Sequence, residues 1–405
     1  MVKCYNSNIL IIAVPILGEK IMYKIATLNK ISTKGLERFS DKYSIVDDIE
    51  MANGILVRSQ DMQSIDFSDK LYAIARAGAG VNNIPVDVCS KQGIVVFNTP
   101  GANANAVKEL VLTGILMSAR NVSSAIAWTK TLTEDISKTV EKNKAQFAGH
   151  EIKGKTLGII GLGAIGVMVA NAAEGLGMHV IGYDPYMSVQ SAHALSRTVE
   201  ISESLDAILP KCDYITIHIP FMENTKDIIN EKRFNMMKDG VCLLNFSRDL
   251  IVNENDVLQA LENGKVRRYV TDFPTDKFIC IDKAICIPHL GASTKESEEN
   301  CARMAVDQMM DYLENGNIIN SVNFPSCTLG ICTTKGRIAV LNKNIPAMLG
   351  KITGILAEMN INISDLLNRS KGDLAYTLID VDSEVNEAEL KKALDVKGII
   401  AVRVL

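Results

Sequence analysis

Six consecutive residues constrain this chain more than any others. Gly161-Leu-Gly-Ala-Ile-Gly166 fits the spacing G-x-G-x-x-G. It follows an apolar, β-branched run at 156–160 and opens a helix-like stretch that includes Met168 and Ala172. Each glycine answers a different steric demand. Gly161 permits a tight turn, Gly163 lets a pyrophosphate approach the backbone, and Gly166 lets helix and strand pack closely. The helix start offers unpaired N–H donors and positive potential to phosphate oxygens. Asp184 closes the next strand 18 residues after Gly166. Its carboxylate suits both hydroxyls of a ribose and would repel a 2′-phosphate. The pattern predicts an NAD site built on Gly161, Gly163, Ala164, Ile165, Gly166 and Asp184.

The flanking sequence extends this unit in both directions. Apolar runs at 156–160, 179–183, 214–218, 241–245 and 266–271, with a short one at 284–287, read as strands separated by helical segments. That alternation indicates a parallel sheet covered on both faces. Upstream, runs at 23–28, 44–46, 54–57, 71–75 and 93–97 repeat the pattern, and a helix is expected at 105–119. After Gly291, Ser293 and Glu296 have capping-box spacing. They open a long helix whose apolar face is Ala302, Ala305, Met309 and Leu313, ending at Gly316. The last seventy residues read as β-α-β-β-α-β, a ferredoxin-like order. Pro346 is placed in the first turn of a helix with Leu349, Ile352, Leu356 and Met359 as its buried stripe.

The predicted class is therefore α/β: two doubly wound, Rossmann-like parallel-sheet domains and a C-terminal ferredoxin-like domain. Residues 323–335 are expected to be a linker and 1–22 an N-terminal extension, with Met22 as a possible start. The net charge of −4, with both signs spread along the chain, argues against nucleic acid as a partner. The sequence shows no apolar stretch of the ~18–20 residues that spans a bilayer. Nine cysteines without a C-x-x-C pair favour neither a disulfide framework nor a zinc site. No metal is expected, and the expected compartment is the cytoplasm.

Three charged residues follow the later strands, where ligands of open α/β sheets bind. Arg248 follows Asn245-Phe-Ser, Asp276 follows Phe273-Pro-Thr, and His289 follows Ile287-Pro. Oxidising a 2-hydroxy acid needs a base for the hydroxyl proton, a cation for the carboxylate and a group that tunes the base. His289, Arg248 and Asp276 supply those chemistries in that order. Taken singly, Arg248 also fits a helix cap, Asp276 a turn, and His289 a satisfied core histidine.

Gly154-Lys-Thr-Leu-Gly-Ile-Ile-Gly-Leu-Gly-Ala-Ile-Gly166, Asn245-Phe-Ser-Arg248 and Pro288-His-Leu-Gly-Ala-Ser-Thr294 resemble the motifs of the D-isomer-specific 2-hydroxyacid dehydrogenases. The resemblance runs from about Tyr23 to Phe324. It implies a discontinuous substrate domain of residues 23–100 and 291–322 around a cofactor domain of 101–290. Further cofactor contacts are implied at His218, Pro220, Thr225, Asn245, Ser247, Asp272 and Gly291, His218 being structural or nicotinamide-facing. Ala77-Gly-Ala-Gly-Val81 resembles the glycine turn that holds the substrate carboxylate, which assigns Ala79 and Gly80. Arg58 and Ser59 match the phosphate side of the family's phosphoglycerate-oxidising members, and Asn103 matches another polar contact. Lys142 or Lys144 could add charge across a dimer.

The C-terminal region resembles an ACT domain, a regulatory module for small ligands. Asn344 and Asn362 match its serine-binding asparagines. Together these modules imply oxidation of 3-phosphoglycerate, amino-acid control by serine, and a homodimer or homotetramer. The alternatives are another D-2-hydroxy acid, such as glycerate, and an NADH-sensing regulator without turnover. Asp249 stands where the family usually has glycine, Asp276 replaces a glutamate on a shortened loop, and Asn342 replaces a histidine of the serine site.

Overall fold

A computed structural model describes residues 22–405. The proposed extension otherwise lies outside the described residues. The first sheet is five-stranded and wholly parallel. Its strands are β1 (Tyr23–Leu28), β2 (Tyr43–Val46), β3 (Gly54–Val57), β4 (Ala73–Arg76) and β5 (Val95–Phe97), in the order β2-β1-β3-β4-β5. The second is seven-stranded and also parallel. It contains β6 (Thr156–Ile160), β7 (His179–Tyr183), β8 (Glu200–Ile201), β9 (Tyr214–Ile217), β10 (Val241–Asn245), β11 (Val266–Thr271) and β12 (Ala284–Cys286). Its order is β12-β11-β10-β9-β6-β7-β8, which reverses direction at β6 and opens a crevice there. β8 is a two-residue edge strand that the apolar pattern does not reveal.

The chain passes between the two sheets twice. The helix Ala104–Arg120 buries Val107, Val111, Ile115 and Ala119 in the core of the second sheet. The helix Lys295–Asn315 returns, burying Ala302, Ala305, Met309 and Leu313 against the first. Its N-cap is Thr294, whose hydroxyl accepts from the Ser297 N–H, one residue beyond the Ser293 expected from spacing. Among the described residues no single helix is long and apolar enough to cross a membrane. A bent pair, Ala104–Arg120 with Val122–Thr129, has the length and composition, but its first member is packed in this core.

The C-terminal sheet is antiparallel, with β13 (Gly336–Lys343), β14 (Ile363–Lys371), β15 (Leu374–Val381) and β16 (Ile399–Val404) in the order β14-β15-β13-β16. Alternation along β13 sends Ile338 and Val340 to one face and Ala339 and Leu341 to the other. The first face is covered by the helices Met348–Glu358 and Glu387–Ala393. The helix begins after Ala347 at φ +65°, so Met348, not Leu349, joins Ile352 and Leu356 inside, and Leu349 is exposed.

The other face corrects the expectation of a separate domain on a linker. Ala339, Leu341, Tyr376 and Leu378 share one core with the first sheet and the helix Lys295–Asn315. That helix ends with carbonyls lacking partners in the helix, and side chains of the C-terminal sheet supply donors. Arg403 donates to the Tyr312 and Leu313 carbonyls, Arg337 to that of Asn315, and the Tyr376 hydroxyl to that of Gly316. Both guanidiniums also meet the negative end of the helix dipole. Arg403 lies over the rings of Tyr72 and Tyr312, and Arg337 pairs with Asp380 at 2.8 Å. The expected linker is likewise packed. Phe324 and Cys327 are buried, and the Asn323 amide accepts from the Val96 N–H and donates to the Ile94 carbonyl along the first sheet's edge.

Candidate active site

The glycine turn occupies the sheet's point of reversal. Gly161 has φ +97°, and a Cβ there would stand 2.6 Å from the His218 carbonyl oxygen. A Cβ on Gly166 would come within 1.9 Å of the Gly161 oxygen, so any side chain would force helix and strand apart. At Gly163 no atom lies within 4 Å of that position, leaving open the space a phosphate needs. Gly163 is the N-cap of the helix Ala164–Gly175 and contributes no side-chain cap, so the first amides stay free for an anion. Asp184 is held in place by the Leu162 and Tyr186 N–H groups, both at 2.8 Å. Each of its oxygens keeps a lone pair for a ribose hydroxyl. A cleft of about 510 Å³ runs past Gly163, Ala164 and Asp184. These residues fit NAD.

A larger cleft, about 820 Å³, lies between the two parallel-sheet domains. It gathers Arg58, Ser59, Ala79, Gly80, Asn103, Pro220, Arg248 and His289 from distant parts of the sequence. Arg58 and Ser59 follow β3, and Ala79 and Gly80 form the turn after β4. The Ala79 carbonyl accepts from Asn98 Nδ2, which fixes that turn. Asn103 precedes the helix that crosses to the cofactor domain.

Arg248 sits on a turn braced from within. Asn245 is fully buried, accepts from the Ser247 N–H and donates to the Arg248 carbonyl, while the Ser247 hydroxyl donates to the Ile217 carbonyl. Asn245 and Ser247 thus hold the arginine loop. The Arg248 guanidinium donates to the Ser247 carbonyl and forms no ion pair with Asp249. Thr225 likewise braces the 220–225 loop, donating to the Pro220 carbonyl and accepting from the Met222 N–H.

His289 is exposed to the cleft at φ +47°, a conformation that costs a β-carbon residue energy. Its N–H donates to the Asp272 carbonyl at 3.1 Å, and its ring packs on Phe273. The partner expected for it, Asp276, is not there. Asp276 is exposed, lies outside the cleft and makes no hydrogen bond or ion pair among the described residues. Its neighbours explain the displacement: the Thr275 hydroxyl and the Lys277 ammonium both bind Glu254, at 2.6 Å, pinning the short turn outward.

The carboxylate beside His289 is that of Asp272, which is 2% exposed. It accepts from the Gly291 N–H at 3.2 Å, and its Oδ1 is buried without a partner. Burial raises its pKa, against the opposing influence of the His289 charge, the Gly291 amide and Arg248. His218 is a different kind of histidine. Its Nε2 meets the Thr216 hydroxyl at 3.0 Å, its Nδ1 is buried without a partner, and burial pushes its pKa down to about 3. It is neutral at ordinary pH.

Sequence reasoning missed Arg76, Lys30 and Glu298, all of which line the cleft. Arg76 ends β4 immediately before the glycine turn, and a cation at the C-terminal end of a parallel strand was signal enough to find it. Burial, with the nearby charges of Arg248 and Arg58, lowers its pKa. Lys142 and Lys144 lie outside the cleft, on the exposed helical arm 136–147. Asn344 and Asn362 are not brought together within one chain. Asn344 bonds the turn before β15, at Gly372, and Asn362 bonds Asp382 after it. They are roughly 30 Å apart along that strand.

Residues 112–291 match the model for the D-isomer specific 2-hydroxyacid dehydrogenase, NAD binding domain. The chain is 32% identical over 354 residues to D-3-phosphoglycerate dehydrogenase of Haemophilus influenzae, covering 85% of this chain and 83% of that one. It belongs to the D-isomer-specific 2-hydroxyacid dehydrogenase family. As a member, it is an NAD-dependent enzyme with a small-molecule substrate, not a sensor lacking turnover. A second relative, D-3-phosphoglycerate dehydrogenase of Methanocaldococcus jannaschii, is 33% identical over 301 residues; that match takes in 71% of this chain and 56% of the longer relative. Among solved structures, the NAD+-bound 3-phosphoglycerate dehydrogenase of Entamoeba histolytica aligns with TM-score 0.59 and 26% identity, over 75% of this dehydrogenase and 99% of that chain.

Proposed function

We propose that this enzyme oxidises D-3-phosphoglycerate to 3-phosphohydroxypyruvate, the entry step of serine synthesis. The observation that supports the reading is the cleft itself: the glycine turn at 77–81, an exposed histidine and three arginines converge between the domains. Arg248 and the amides of Ala79 and Gly80 hold the substrate carboxylate, and Arg248 also polarises the forming carbonyl. Arg58 and Arg76 face the phosphate, whose charge requires cations. His289 takes the C2 hydroxyl proton as the C2 hydrogen leaves with its electron pair. Bound NAD supplies the acceptor for that hydride. Asp272 takes the place beside His289 that the sequence assigned to Asp276.

We read the C-terminal domain as an ACT module. A serine site using Asn344 and Asn362 then requires a second copy of the chain. Self-association through the end of the helix Ala104–Arg120 and the arm after it is consistent with the exposed Leu116, Val122, Ile126 and Ile136. One observation favours the competing reading, an unphosphorylated acid such as glycerate: Arg58 is already paired with a carboxylate, that of Glu298. NADH consumption with phosphohydroxypyruvate, hydroxypyruvate and pyruvate side by side decides between them. Strong preference for the phosphorylated acid is expected, and preference for either of the others overturns the substrate assignment.

A further inference from the structure

Val57 and Arg76 are paired across the first sheet, so Arg58 and Arg76 enter the cleft from adjacent strand ends. Arg248 brings a third guanidinium from the opposite domain. Arg76 donates from Nε to the Asn83 amide oxygen at 3.1 Å and Arg248 to the Ser247 carbonyl at 2.6 Å. Neither of these meets a carboxylate. Arg58 does, with Nη1 2.8 Å from Oε1 of Glu298. Glu298 belongs to the first turn of the helix Lys295–Asn315, where the helix dipole favours negative charge. The two side chains are 37% and 44% exposed, so an incoming ion can reach the pair.

We propose that Glu298 is a specificity-determining residue, a resident carboxylate that occupies Arg58 until the distal dianion of the substrate displaces it. The inference deepens the function proposed above and rests on its phosphorylated substrate. A neutral or singly charged distal group offers Arg58 no more than Glu298 already gives. A phosphate offers greater charge and three acceptor oxygens, so it exchanges with the carboxylate. Glu298 therefore weakens the hold of Arg58 on a distal dianion and leaves acids that do not engage Arg58 unaffected.

The test is Glu298→Gln, assayed with phosphorylated and unphosphorylated 2-oxo acids and with inorganic phosphate as a competitor of the unphosphorylated acid. The KM for the phosphorylated acid and the inhibition constant for phosphate are expected to fall about two- to fivefold, the range an exposed ion pair supports. Both kcat values and the KM of the unphosphorylated acid should stay as in the parent enzyme. A raised KM for the phosphorylated acid would show that Glu298 merely positions Arg58, and unchanged phosphate inhibition would show that Arg58 does not receive the dianion; either overturns the proposal. If phosphate inhibition tightens but the parent enzyme prefers unphosphorylated acids, the substrate assignment fails and the role of Glu298 stands.

Discussion

The turn at 161–166 and the cleft around Arg248 are both shaped to suit anions, yet one is so with backbone and the other with side chains. The turn needs side chains to be absent: no Cβ at Gly161 or Gly166, where one would collide, and none at Gly163, where the space is open. All its parts lie within one strand, one turn and one helix start. The cleft needs residues that are present, and Arg58, Arg76, Arg248 and His289 come from four strand ends in two domains. A backbone site is therefore specified by short-range spacing. A side-chain site depends on loops whose course is settled by tertiary contacts.

Substitutions at the two sites should sharpen that contrast. His289→Ala is expected to cut turnover on the order of a thousandfold, the scale of a lost general base, while NADH still binds. Gly166→Ala should instead abolish NADH binding, because its Cβ would meet the Gly161 oxygen at 1.9 Å. Fluorescence titration of NADH alongside turnover checks both, and loss of NADH binding in the histidine variant would break the comparison.

The two aspartates give a smaller, sharper test. Asp272→Asn should lower kcat on the order of a hundredfold and move the pH profile of kcat/KM, whereas Asp276→Asn should stay within about twofold of the parent. The reverse ranking would restore Asp276 as the partner of His289.

The smallest effect concerns stability. Burial depresses the pKa of His218 from 6.5 to about 3, so the unfolded chain binds its proton more readily than the folded one. Its contribution is complete above the unfolded value and declines as pH falls from about 6.5 towards 3. Melting temperatures measured across that window should decline less steeply in His218→Asn. An equal slope would exclude His218 as a source of acid sensitivity.

Both parallel sheets and the helix after Gly291 were legible in the sequence because each carries its own periodicity, and the cofactor turn because of its glycine spacing. That the helix returns to the first sheet was implied by the family resemblance. The misreadings share one cause. Asp276 has the right chemistry, but Thr275 and Lys277 bind Glu254 and turn it outward. Residues 323–335 were read as a linker between two folded parts, yet the Asn323 side chain binds the edge strand of the first sheet. Leu349 fitted the helical stripe as well as Met348 until Ala347 set where the helix starts. Arg76 was readable and overlooked.

The helix Lys295–Asn315 carries Glu298 at one end and is gripped at the other by Arg403, Arg337 and Tyr376. Its 21 residues make a stiff rod roughly 30 Å long. Mechanically, the C-terminal sheet holds the handle of a lever whose tip rests in the substrate cleft. A shift of that sheet along the rod axis would be delivered, scarcely attenuated, to the carboxylate facing Arg58.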